Sequence, residues 1–98
     1  MTTTTSTHDA LTRQAHNHRL PAWSRLAYWA QANADHHGHA RAYPGELRTL
    51  LTTSTHEVSR AIRLAKDRHL LDPTSNAGCL VLPGHAHQPC DAHHREAP

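Results

Sequence analysis

The sequence contains no phenylalanine, and aromatic residues are only 4% of it. Its core must therefore be small, built of Leu, Ala, Val and Ile around two Trp, and the 98-residue length suits one such core. With two cysteines the chain is no disulfide-dense scaffold, and Cys79 and Cys90 are expected as reduced thiols. No apolar run approaches the roughly 20 residues of a membrane helix, and the Thr-rich start lacks the apolar stretch of a signal peptide. The expected location is cytoplasmic. Four glycines form no Gly-rich phosphate loop, and no Ser/His/Asp or Cys/His arrangement stands out against twelve histidines. No enzyme, cofactor or small-molecule substrate is expected.

What is present is unevenly spread. Apolar residues are nearly missing from 1–19 and 84–98, so the folded unit is expected over 20–83. Residues 1–19 read as a disordered or loosely helical arm, and 84–98 as a disordered His-rich tail. The formal charge is only +2, but Arg60, Arg63, Lys66 and Arg68 crowd one stretch, against Glu57 and Asp67. Nine of the ten basic residues are Arg, whose planar fork suits phosphate and guanine.

Pro21 opens the first expected helix, in which Trp23, Leu26, Ala27, Ala30 and Ala34 recur at helical spacing and Gly38 marks the stop. His36 and His37 suit its C-terminal turn. His39–Tyr43 is extended, and Pro44–Leu51 reads as a second helix burying Leu47, Leu50 and Leu51. After the turn Thr52–Thr55, the run Ser54-Thr55-His56-Glu57 matches a capping box, with Glu57 reaching back. A third helix then runs to about His69. Val58, Ala61, Ile62 and Ala65 line its inner face, and His56, Ser59, Arg60, Arg63, Lys66 and Asp67 its outer one. Leu70-Leu71-Asp72 and Cys79–Pro83, separated by a Pro/Ser/Asn/Gly turn, read as a β-hairpin. Leu47, Leu50, Val58, Ile62, Leu70 and Leu80 are expected in one core.

This order of elements, with Tyr43-Pro44-Gly45-Glu46-Leu47 entering the second helix and Ser54–Ile62 in the third, resembles the winged helix-turn-helix superfamily. The likeness is to the DNA-binding parts of GntR- and MarR-type bacterial regulators and to small actinobacterial proteins of that kind. Lys66-Asp67-Arg68-His69-Leu70-Leu71 is similar to the passage from recognition helix to wing. The usual turn glycine is missing from Leu51-Thr52-Thr53-Ser54. The resemblance implies a mainly α fold, three helices with a two-stranded wing. It also implies sequence-specific binding of double-stranded DNA, most simply by a transcriptional regulator, with the third helix in the major groove and the wing on the backbone.

The residues expected at the DNA are Thr55, His56, Ser59, Arg60, Arg63 and Lys66. Arg60 and Arg63 suit base edges or phosphate, Lys66 suits phosphate, and Arg68 is structural or solvent-facing. Tyr28 and Trp29 are candidates for a homodimer contact, which would suit a palindromic site. Two other readings are a protein–protein interaction module on the same scaffold and a DNA-binding accessory of replication or a mobile element. Cys79, His85, Cys90 and His93 offer zinc ligands, but their spacing matches no standard finger. At Cys79 a small buried apolar residue is the expected role.

Overall fold

The computed structural model describes residues 3–84, with side chains from Thr7 onward. The chain is mainly helical, with α1 (Thr3–Ala15), α2 (Ala22–Asn33), β1 (His39–Arg41), α3 (Glu46–Leu51), α4 (Thr55–Asp67) and β2 (Cys79–Val81). The three helices expected from sequence are α2, α3 and α4, each shorter by a few residues at one or both ends. Pro21 is the N-cap of α2, with extended backbone, and its carbonyl accepts the amides of Ser24 and Arg25.

The core lies where α2, α3 and α4 meet one face of the small sheet. Leu26, Ala30, Leu47, Val58, Ile62, Ala65, Leu71 and Leu80 are buried in a single cluster, with Leu50 and Leu70 packed half-buried against it. Of the six expected core residues, Leu47, Val58, Ile62 and Leu80 are thus in the cluster, and Leu50 and Leu70 only border it. Trp29 belongs to it too, at 7% exposure. Little of the Trp29 side chain is therefore left at the surface, while Tyr28 beside it is half-buried. Trp23 sits at the margin, where the Arg68 guanidinium lies 4.3 Å above its ring, so Arg68 has a structural part.

The arm read as disordered or loosely helical forms a regular helix from Thr3 to Ala15, and α1 packs against α2. Its amphipathic signal is weak, and among its described side chains Ala15 alone is buried in the core. The anchor is Arg25 of α2, itself 5% exposed. Its Nε donates to the Ala15 carbonyl at 2.8 Å and its Nη2 to the Leu50 carbonyl at 2.9 Å. Both carbonyls belong to last helical turns, which lack intrahelical donors and carry the negative end of the helix dipole. One guanidinium thus ties the ends of α1 and α3 to α2.

The sheet also departs from expectation. β2 pairs antiparallel with β1, His39 opposite Val81 and Arg41 opposite Cys79, instead of with residues 70–72. The expected hairpin survives only as a tight turn, with paired bonds between Asn76 and Cys79 and one bond from the Asp72 amide to the Val81 carbonyl at 2.8 Å. Buried Ser75 takes the place of a second strand. Its hydroxyl accepts from the Val81 amide at 2.8 Å and donates to the Val81 carbonyl at 3.2 Å. Pro73 and the Asp72 side chain, which accepts the Thr74 amide and hydroxyl, bend the chain away before a second strand can form. The Thr74 amide, more than its hydroxyl, holds the Asp72 carboxyl below the usual range, against partial burial, which works the other way.

Candidate nucleic-acid interface

The α3–turn–α4 unit presents the exposed face on which the site residues lie. Gly45, at φ 83°, is the N-cap of α3, and a Cβ there would fall 3.3 Å from Arg48 Nη2. At the other end Thr52 adopts the left-handed conformation, φ 56° and ψ 50°. Its amide and that of Thr53 return to the Thr49 and Arg48 carbonyls, closing the helix. The sequence has no glycine at this turn, and a threonine supplies the same backbone at a conformational cost. Ser54 then caps α4, its hydroxyl accepting the Glu57 amide at 3.2 Å. The Glu57 carboxylate turns outward to Arg60 at 3.7 Å, where the sequence reading had it reaching back to Ser54.

The four inner residues of α4, Val58, Ala61, Ile62 and Ala65, are all buried. That fixes the orientation of the rest, because residues three and four apart share a helix face. Thr55, His56, Ser59, Arg60 and Arg63 are exposed and Lys66 is half-buried. His56, Ser59, Arg60 and Arg63 point away from the core, and Thr55 and Lys66 lie at the flanks of the buried face. Arg60 is engaged with Glu57, an exposed i,i+3 pair of small energetic weight. Arg63 and Lys66 have no side-chain partner among the described residues.

A cleft of about 230 Å³ runs along one edge of α4. Ser59, Ile62, Arg63 and Lys66 form one wall, and Ser75, Asn76 and Ala77 the other. A smaller one, about 160 Å³, lies at the start of the helix between Arg48, Thr55, Val58 and Ala77. The 75–77 turn therefore flanks α4 along half its length. It contributes hydroxyl and amide groups only, since Pro73–Gly78 holds no basic residue. Arg48, exposed at the α3 edge of the second cleft, was given no role by the sequence reading. Only the packing of α3 against α4 brings it beside Thr55.

Cys79 is buried on β2, with Sγ 3.6 Å from Nδ1 of His39 on β1. His85, Cys90 and His93 lie outside the described residues. Among the described residues no group of three or more His, Cys, Asp or Glu side chains is arranged to hold a metal. No described helix is long and apolar enough to cross a membrane. The Asp35 carboxyl, though partly desolvated, is held below the usual range by the amides of His39 and His37. Comparison with family models, with curated proteins and with solved structures gives no match to this chain.

Proposed function

We propose that this chain binds double-stranded DNA sequence-specifically, with α4 as the reading helix of a winged helix-turn-helix and the 75–77 turn in the position of a reduced wing. The simplest role for such a protein is a transcriptional regulator. The observation that carries the reading is the pair Arg63 and Lys66. Two cations without side-chain partners among the described residues, Arg63 exposed and Lys66 half-buried, line a cleft beside a capped helix whose inner residues are all buried. A helix of 13 residues is about 20 Å long, and a B-DNA major groove admits one.

Arg63 is best placed for a base edge, with Ser59 and His56 one turn towards the helix start. Thr55 and Arg48 lie where a helix N-terminus meets phosphate. Arg60 reaches the same groove once it leaves Glu57. The wing contributes no positive charge, so most of the phosphate neutralisation falls to α3 and α4. Selection of duplexes from a random pool, followed by salt titration of the winners, tests the reading. An enriched motif and a linear fall of log affinity with log salt are expected. Absence of any enriched sequence, with no salt-dependent retention of duplex, sinks it.

A further inference from the structure

The cleft of about 230 Å³ between α4 and the 75–77 turn is lined by cationic and hydrogen-bonding side chains and by no acidic one. On the helix wall Ser59, Arg63 and Lys66 recur at i, i+4 and i+7, along one edge of α4. Lys66 is half-buried, so its aliphatic stem is packed while the ammonium keeps to water. Neither it nor Arg63 is neutralised by a carboxylate among the described residues.

The opposite wall carries no charge, yet it presents a donor. Asn76 Oδ1 accepts the Gly78 amide at 2.8 Å and the Cys79 amide at 3.2 Å. Two N–H groups converging on one atom identify it as the oxygen. The Nδ2 group, which can only donate, is left without a partner among the described residues. The backbone beneath is fixed as well, since the Asn76 amide and carbonyl both pair with Cys79. Ser75 spends its hydroxyl on Val81 as donor and as acceptor, and Ala77 has none to offer, so Asn76 is the turn's one available side-chain donor in the cleft. A donor held in this way needs little reorganisation on binding.

We propose that this cleft is a phosphate site, filled by one backbone phosphodiester when α4 lies in the groove. Lys66 supplies the charge, Asn76 Nδ2 a fixed neutral donor and the Ser59 hydroxyl a further one. Donors on both walls with no carboxylate between them select an oxyanion, which accepts from all of them. The size agrees, because pockets for organic ligands begin near 300 Å³ and this cleft is smaller. A turn without cations thus fixes the duplex's position while adding nothing to sequence choice. The proposal rests on the DNA reading for the source of the phosphate only, since the same donors accept a free phosphate or a phosphate monoester.

The test uses the full chain and a duplex selected by it. Asn76→Asp keeps an oxygen for the Gly78 and Cys79 amides and turns the free amide group into a carboxylate oxygen, so the turn is retained while the cleft gains a negative charge. Melting at or above the wild-type temperature is expected, with affinity down about tenfold or more for selected and unrelated duplexes alike. In a scan of single uncharged methylphosphonates along the selected duplex, one position should weaken the wild type and cost Asn76→Asp little, the non-additivity of a shared contact. If Asn76→Asp loses its helical circular dichroism, Lys66→Gln takes its place in the scan. Duplex binding unchanged in the variant, or no methylphosphonate position that shares its loss, overturns the phosphate site and leaves reading by α4 standing. If the wild type retains no duplex, the DNA reading falls and inorganic phosphate decides the cleft alone. Phosphate-dependent shifts of the Asn76 side-chain amide and of the Lys66 backbone amide, the latter abolished in Asn76→Asp, support a site for phosphate from another source. No shift at either overturns it.

Discussion

Replacing Arg25 by methionine isolates what one buried guanidinium does for this fold. Methionine keeps most of the aliphatic volume, so the change removes two donors and a charge while creating little cavity. The bond to Ala15 is the dominant loss, because that site is buried and water cannot replace the donor. The Leu50 carbonyl is only part-buried and can be hydrated. A charged donor on a neutral acceptor contributes about 1.5–3 kcal/mol, offset by the desolvation that methionine no longer suffers. A net loss of about 2 kcal/mol follows. In a domain of this size that lowers the melting temperature by roughly 8–16 °C. The assay is thermal unfolding by circular dichroism, with hydrogen exchange on α1 amides as a second readout. Exchange in α1 should accelerate more than exchange in α4, since among the described side chains of α1 Ala15 alone is in the core. Lysine at the same position should fall between, as one ammonium cannot serve two carbonyls in different directions. A methionine variant that melts with the wild type, its α1 still protected, would refute the reasoning.

Three further outcomes follow from particular geometries. Thr52→Gly relieves a left-handed residue at the α3 C-cap, so it should stabilise by about 0.5–1 kcal/mol in urea unfolding after the extra unfolded-state entropy of glycine is counted. A destabilised variant would show that the threonine side chain has a compensating role. For Asp72 the folded carboxyl titrates below its unfolded value, so its contribution is complete above about pH 5 and is lost as pH falls through the folded value. The stability gap between wild type and Asp72→Asn should therefore close on acidification, and a pH-independent gap would contradict the assignment. Glu57→Gln releases Arg60 and removes a negative charge from the reading face, so duplex affinity should rise and its salt slope should steepen.

Much of the α3–α4 unit is legible in the sequence because its signals are local. Ser54 before a helical apolar stripe announces the cap, and Val58, Ala61, Ile62 and Ala65 have one periodicity that packing does not override. What escaped notice depends on contacts distant in sequence. A threonine-rich segment with no apolar stripe supports only a disordered or loosely helical reading of α1, whose anchor is an arginine ten residues away that reads as surface. Strand pairing over three residues has no sequence signature, so the neighbouring apolar runs suggested a hairpin while the real partner of β2 lay 40 residues upstream. Trp29 beside Tyr28 gave an exposed reading because six-residue spacing separates it from Trp23. In the fold Trp29 is the inward ring. His39 could not be matched to Cys79 for the same reason as the strands that carry them.

Amide chemical-shift mapping of the labelled full chain, titrated with a selected duplex, tests the central claim most directly. Reading by α4 predicts that shifts concentrate on Thr55, His56, Ser59, Arg60, Arg63 and Lys66, with Arg48 and residues 75–77 at the margins. Arg63→Ala should lose about tenfold or more in affinity for that duplex while Lys66→Ala weakens all duplexes alike. Shifts confined to Tyr43, Trp29 and the α1–α2 face, or none at all at saturating duplex, would contradict the account and leave α4 a solvated helix surface.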